Sequence, residues 1–127
     1  MSGKITVIAA ESEVHFEAAR YLCRDWVSWQ LKVFPEKKDI ILSVFDPIEY
    51  AKTLKNLPSI HARPKGAIIL ASLDGDYVGC VMYQEMAPKL AEVKRLFVAE
   101  SGRGHGVGHI LLTEMFRHMK NDGYERT

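Results

Sequence analysis

The sequence Ser101-Gly102-Arg103-Gly104-His105-Gly106-Val107-Gly108-His109 places four glycines within seven residues, between a β-type run and a helical pattern. Glycine has no Cβ atom, so a glycine-rich backbone can turn tightly and aim several N–H groups at one point. The helix that begins here adds unpaired N–H groups and a partial positive charge, and Arg103 adds a full positive charge. The segment 101–109 therefore predicts a binding site for an anion of phosphate size.

Two well-known phosphate-binding loops differ from this segment. A P-loop requires Lys followed by Ser or Thr after its last glycine, whereas His109 and Ile110 follow Gly108. The dinucleotide-binding fingerprint, read from Gly104, requires a glycine at position 109 and a strand from a parallel βαβ unit. Neither requirement is met. A nucleotide-phosphate binder that uses the glycine segment in another way remains an alternative.

Three β-type runs precede the glycine segment, at residues 67–71 (AIILA), 77–82 (YVGCVM) and 93–98 (VKRLFV). Asp74-Gly75 is a typical hairpin turn between the first two runs, and Ala87-Pro88-Lys89 interrupts the next pair. An antiparallel meander is the simplest arrangement of these three runs.

Helical patterns surround the meander on both sides. In the N-terminal half, a β-branched run at Ile5 to Ala9 leads to a helix from Ser12 to about Trp29. A second helix begins at Asp46-Pro47 and reaches about Leu54, and residues 58–65 are predicted as a loop. After the glycines, one apolar ladder predicts a last helix, which Gly123 is placed to end; its members are Val107, Leu111, Met115 and Met119.

Length and composition limit the classes of protein that remain. The 127 residues, 47% of them apolar, suit one globular domain. Lys and Arg number 17 against 16 Asp and Glu, so no charge excess favours nucleic acid or a membrane surface. No apolar run is long enough to span a membrane, and the N-terminus lacks the apolar stretch of a signal peptide. Cys23 and Cys80 lack metal-ligand spacing, so we expect reduced thiols, no metal and a cytoplasmic location.

The segment around the glycines resembles a known superfamily. Arg103, Gly106 and Gly108 fit the pattern Q/R-x-x-G-x-G/A of the acyl-CoA loop in GNAT N-acyltransferases. Residues 91–98 (AEVKRLFV) resemble the strand before this loop in many bacterial members, and residues 74–81 (DGDYVGCV) resemble the preceding hairpin. The resemblance implies an α/β fold of GNAT type, with a mixed, mostly antiparallel sheet flanked by helices.

The resemblance also implies a cosubstrate, acetyl-CoA, and a set of residues that bind it. In that family the pyrophosphate lies on the loop amides, which here belong to Gly104, His105, Gly106, Val107, Gly108 and His109, with Arg103 beside them. The pantetheine arm follows the preceding strand through backbone groups near Leu96, Phe97 and Val98. The implied reaction is direct attack of a primary amine, from a small molecule or a peptide, on the thioester.

Glu92 is the candidate catalytic residue. An amine of pKa ~10 is mostly protonated at neutral pH, so a base must remove its proton before it can attack. Glu92 occupies the strand position where some members of the superfamily carry this base. The alternative is a solvated carboxylate paired with Lys94. Arg95 meets the substrate or only solvates the outer face, and the sequence does not decide between these roles.

The sequence departs from the family after its last helix. Members continue with another strand, a helix and a final strand pair, and residues 124–127 (YERT) resemble only the entrance to that strand. We therefore expect one domain over residues 1–127 that lacks its C-terminal strands, as a truncated chain, a degenerate domain or a protomer completed by another chain.

Two further expectations follow from this departure. The uncovered edge of the strand 93–98 predicts a homodimer. A non-catalytic CoA-binding or interaction module is the alternative function. The tyrosine that often protonates the leaving thiolate belongs to the missing part, and Tyr124 does not match it.

Overall fold

The structure is a computed structural model that describes residues 4–127. Residues 1–3, part of the N-terminus in which we expect no signal peptide, lie outside the described residues. The described chain forms four strands, β1 (Ile5–Ala9), β2 (Ala67–Leu73), β3 (Asp76–Ala87) and β4 (Leu90–Val98). It also forms five helices, α1 (Glu13–Val33), α2 (Lys38–Val44), α3 (Pro47–Lys55), α4 (Leu57–Ile60) and α5 (Val107–Asn121). None of these helices is long and apolar enough to cross a membrane.

The strands form one sheet in the order β1-β2-β3-β4, and every neighbouring pair is antiparallel. The predicted meander is therefore confirmed. Asp74 and Gly75 join β2 to β3 with φ values of 53° and 95°, as the two central residues of a tight hairpin turn require. Pro88 and Lys89 join β3 to β4.

Helices cover both faces of the sheet, because side chains of each strand alternate between the two faces. The core beneath α1 contains apolar side chains from helices and sheet: Ala19, Leu22, Cys23, Leu54, Leu57, Ile68, Leu70, Cys80, Met82 and Phe97. The core beneath α5 is built in the same way: Ala67, Ile69, Ala71, Val81, Tyr83, Val107, Leu111, Met115 and Met119. The apolar ladder predicted for the last helix is thus buried.

The helical predictions were wrong in part around two prolines. Pro35 begins a single turn of 3-10 helix that leads into α2, and no helix was predicted over residues 38–44. Pro58 lies in the first turn of α4, where a loop was expected. Proline is compatible with the first turn of a helix, since the N–H group that it lacks would have no partner there.

The C-terminal residues contact the start of β4. Leu90 and Arg126 form a parallel bridge, and the Ala91 N–H donates to the Arg126 carbonyl oxygen at 2.9 Å. Residues 124–127 thus pair with the sheet through this one bridge without forming a strand of their own. Along residues 93–98, the outer edge of β4 pairs with no other strand of the described chain.

Candidate functional site

A β-bulge in β4 shapes one side of the site. Cys80 pairs with Phe97 and Met82 pairs with Lys94, so two residues of β4, Arg95 and Leu96, lie opposite the single residue between them on β3. Arg95 has a φ of 55°, in the left-handed region that non-glycine residues rarely adopt. Bulges bend a strand and re-aim its side chains, and they are frequent beside active sites. Sequence reasoning did not find this bulge.

The glycine segment connects β4 to α5. A turn of 3-10 helix over Glu100–Gly102 leads into Gly104 and Gly106, whose φ values are 83° and 75°. A Cβ atom added at either glycine would meet no atom within 4 Å, so open space adjoins both. No side chain caps the N-terminus of α5, and the first-turn N–H groups have no acceptor within a helix. The arrangement can bind an anion through the backbone.

Arg103 lies across the end of β4, against α1. Its guanidinium carbon lies 4.5 Å from the centre of the Trp29 ring, and its Nε donates to the Val98 carbonyl oxygen at 3.0 Å. These two contacts hold the positive charge beside the strand end where the pantetheine arm is expected. Trp29 therefore lines the site. Trp29 and Arg103 are far apart in the sequence, so no local pattern predicts their contact.

The remaining predicted binding residues differ in exposure. His105 and His109 are exposed, Val107 at the start of α5 is buried, and Gly108 is half-buried. In β4, the Phe97 side chain is in the core, whereas Leu96 is 41% exposed. Recognition of a pantetheine arm through the backbone of this strand stays a prediction.

Glu92 lies on β4 opposite Gln84 of β3. The Gln84 Nε2 donates to Glu92 Oε1 at 3.0 Å, and Lys94 Nζ lies 3.8 Å from the same oxygen. The side chain of Glu92 is 32% exposed, and its Oε2 has no hydrogen-bond donor among residues 4–127. One carboxylate oxygen is therefore held while the other can accept a proton from a water molecule.

His61 follows α4 and is buried against the sheet, with 3% of its surface exposed. Its Nδ1 lies 2.8 Å from the Tyr83 carbonyl oxygen, and its Nε2 lies 3.0 Å from Arg95 Nη1. A carbonyl only accepts and a guanidinium only donates, so Nδ1 carries the proton and Nε2 accepts. Burial lowers the pKa of His61 to about 4, which keeps the imidazole neutral.

The fold should lose stability in mild acid because of His61. The folded chain holds this imidazole with a pKa of about 4, against 6.5 when it is unperturbed. The unfolded chain therefore binds a proton in this interval that the folded chain does not. The neutral imidazole makes its full contribution to the free energy of unfolding above pH 6.5. This contribution, about 3 kcal/mol, is lost as the pH falls towards 4. Urea unfolding across this interval should show the loss.

The matched variant for this measurement is His61→Gln, which cannot titrate. The difference in unfolding free energy between wild type and variant should narrow as the pH falls, because only wild type contains the imidazole. Parallel curves would contradict the assignment.

The comparisons with known proteins decide the family. The sequence profile of the Acetyltransferase (GNAT) family matches residues 23–127. The chain belongs to the GNAT acetyltransferase family. The predicted membership and the predicted fold are confirmed. No curated protein sequence matches this GNAT chain.

Solved structures of other GNAT proteins share the fold. An acetyltransferase of the GNAT family from Staphylococcus aureus Mu50 has 17% identity and a TM-score of 0.67, over 93% of this chain and 68% of that one. The PaiA N-acetyltransferase from Thermoplasma acidophilum, in complex with coenzyme A, has 18% identity and a TM-score of 0.65, over 94% and 74%. Aminoglycoside N-acetyltransferase AAC(6')-Iy in complex with CoA has 17% identity and a TM-score of 0.63, over 99% and 76%. At these identities the likeness concerns the fold.

Other chemistry-bearing groups of this GNAT domain have structural partners. Cys80 is fully buried, and its thiol donates to the Arg95 carbonyl oxygen at 3.4 Å. The Tyr124 hydroxyl donates to the Lys65 carbonyl oxygen and stacks edge-on against Tyr83. Within residues 4–127, no three His, Cys, Asp or Glu side chains are grouped as a metal site requires.

Proposed function

We propose that this GNAT domain is an N-acetyltransferase that transfers an acetyl group from acetyl-CoA to a primary amine of a small molecule or peptide. The observation that carries the proposal is the continuous path formed by the bulged β4, its open outer edge, the glycine segment and the uncapped N-terminus of α5. The outer edge of β4 along residues 93–98 pairs with no other strand of the described chain, and no side chain caps α5, although the Val98 carbonyl oxygen accepts from Arg103.

The residues present fit coenzyme A. The amides of Gly104 to His109 would hold the pyrophosphate, because they combine a helix N-terminus with left-handed glycines beside open space. Arg103 would add a positive charge beside them. The backbone of Leu96, Phe97 and Val98 would hold the pantetheine arm as an added strand. The CoA complexes of PaiA and of AAC(6')-Iy, which share the fold, support this proposal.

Bound acetyl-CoA supplies the acetyl group as a thioester whose carbonyl carbon a neutral amine attacks. The chain must supply the base that makes the amine neutral. Glu92 is our candidate, because its Oε2 is free to accept a proton through a water molecule. The Gln84 amide fixes the Glu92 carboxylate through Oε1.

A small-molecule or peptide acceptor is our proposal for the substrate class. One solved neighbour is AAC(6')-Iy in complex with the bisubstrate analogue CoA-S-monomethyl-acetylneamine, with a TM-score of 0.59 and 17% identity. That complex concerns another protein and supports only the general class of amine. The cytoplasmic location expected from the sequence stays a prediction.

Acetyl-CoA turnover against a panel of primary amines tests the proposal. We expect release of the CoA thiol and an acetylated product detectable by mass spectrometry, both dependent on the amine. CoA binding without thiol release for any amine would contradict the proposed activity and favour the non-catalytic CoA-binding module. Tighter binding of ATP or NAD than of CoA would favour a nucleotide-phosphate binder.

We also propose that the chain forms a homodimer through the open edge of β4 and the outer surface of α5. An unpaired strand edge is a template for another chain, and Leu96 on this edge and Phe116 on α5 are 41% and 49% exposed. Sedimentation at several concentrations should show reversible association, and Leu96→Lys should weaken it. The pantetheine arm would use the same edge, so CoA should shift the protein towards monomer. A monomer at every concentration without CoA would contradict the dimer.

A further inference from the structure

The fold holds Arg95 by a side-chain hydrogen bond without giving it a carboxylate partner in the described chain. Other arginines pair with acids at 3.0 Å or less: Arg20 with Glu13 and Glu17, Arg63 with Asp122, and Arg117 with Glu114. Arg95 has no carboxylate within 4.0 Å among residues 4–127, and its side chain makes one hydrogen bond there, to His61 Nε2. A guanidinium has five N–H donors, so most of those of Arg95 are unused.

The unused donors of Arg95 remain accessible. Arg95 is partly buried. The only fully buried side-chain polar atom without a hydrogen-bond partner in the described chain belongs to Gln30. The nitrogen atoms of Arg95 that lack a partner are therefore in contact with solvent rather than sealed in the core.

The fold holds Arg95 in place at some cost. Its backbone adopts the left-handed conformation at the bulge, with a φ of 55°. Its side chain reaches a buried histidine whose tautomer the Tyr83 carbonyl fixes. Backbone strain of this kind persists only where the surrounding structure demands it, and it is frequent at ligand sites.

Because His61 is neutral, the guanidinium of Arg95 keeps its positive charge in this contact. An imidazole accepts a hydrogen bond from Arg95 without cancelling its charge, whereas a carboxylate would cancel it. The result is a preorganised cation whose natural complement is a planar anion that two parallel N–H groups can bind.

We propose that Arg95 binds a carboxylate group of the acceptor, so that the preferred substrates carry both a primary amine and a carboxylate. This inference rests on the proposed acetyl transfer. The β4 bulge interrupts the regular alternation of side chains between Glu92 and Arg95. The charges of both side chains act on the buried His61, so one acceptor can present its amine to Glu92 and its carboxylate to Arg95. His61 acts as a positioning residue for the Arg95 guanidinium.

Matched pairs of acceptors test the inference. Each pair contains an amino carboxylate and its neutral carboxamide, in a series of increasing distance between amine and acid, with an aminophosphonate as a third arm. Wild type should prefer the carboxylate in kcat/KM by about 10- to 100-fold for the best pair. Preference for the phosphonate over the carboxylate would overturn the assignment of the anion.

Variants at Arg95 locate the preference. Arg95→Gln should reduce the ratio of carboxylate to carboxamide kcat/KM to near one, mainly by raising KM for the carboxylate. Arg95→Lys keeps the charge but not the planar pair of donors, and should keep only part of the preference. An equal loss for both acceptors, or no preference in wild type, would overturn the inference.

Two further results separate the possible failures. His61→Gln should lower the preference without matching the loss in Arg95→Gln, whereas a merely structural role would change both acceptors alike. Carboxamides acetylated as fast as carboxylates would leave the proposed acetyl transfer intact and refute only the role of Arg95. No thiol release with any amine would refute the acetyl transfer itself.

Discussion

Gly106→Val is expected to remove measurable CoA binding while the chain stays folded. Gly106 directly precedes the first residue of α5 and has a φ of 75°. Open space lies beyond its Cα atom. A branched side chain would occupy that space and push the backbone away from the left-handed region, at a cost of about 1–3 kcal/mol in stability. The amides that would hold the pyrophosphate would then no longer converge. Isothermal titration with CoA measures the effect.

Two control variants isolate the role of this position. Gly123→Val introduces similar strain, at a φ of 95° and with open space, but at the opposite end of α5, so CoA affinity should stay within a few-fold of wild type. Gly108→Ala adds a Cβ atom only 3.8 Å from Val98 Cγ2, an ordinary contact, and should also preserve binding. Wild-type affinity in a folded Gly106→Val variant would show that the pyrophosphate does not bind here.

Glu92→Gln is expected to reduce the rate of acetyl transfer by about 10²- to 10⁴-fold, as loss of a general base does. The amide keeps the size of the side chain and can still contact Gln84, but it cannot take a proton. The loss should be largest at the pH values where the amine is protonated and should shrink as the pH rises towards the amine pKa. Steady-state rates across this pH range, with CoA affinity measured in parallel, give the result.

The comparison variant for Glu92 is Lys94→Gln. It removes the ammonium 3.8 Å from Glu92 Oε1 and leaves the carboxylate and its Gln84 contact in place. Its rate should stay within a few-fold of wild type. If Glu92→Gln behaves like Lys94→Gln, Glu92 is a solvated carboxylate and the base lies elsewhere.

Local patterns in the sequence were enough to predict the meander, the last helix and the family. The Asp74-Gly75 turn and the ladder from Val107 to Met119 each depend on residues close together in the chain. The glycine segment likewise sits at one junction, so its spacing could be matched to a known loop. No local pattern predicted helix α2, which follows directly after the turn of 3-10 helix that Pro35 begins.

The bulge and the His61 to Arg95 contact could not be predicted in this way. Regular alternation places residues three apart on opposite faces of a strand, yet Lys94 and Phe97 pair with Met82 and Cys80, which share one face of β3. Only the pairing with β3 reveals the extra residue. His61 lies 34 positions from Arg95, so their contact depends on the tertiary fold. A polar residue buried between a short helix and the sheet leaves no periodic signal.

Because both cysteines are buried, the folded chain should not react with thiol reagents. Cys23 and Cys80 are each 0% exposed, and a hydrogen bond with Cys23 together with burial raises the pKa of Cys80. Because reaction requires an exposed thiolate, alkylation of either cysteine must wait for the layer of α1 to open from the sheet. Cysteine alkylation in the native protein therefore measures local opening of the fold. The rate at which the cysteines are labelled under native conditions would report how often α1 separates from the sheet. A thiol reagent used to measure released CoA would give no background signal from the folded domain.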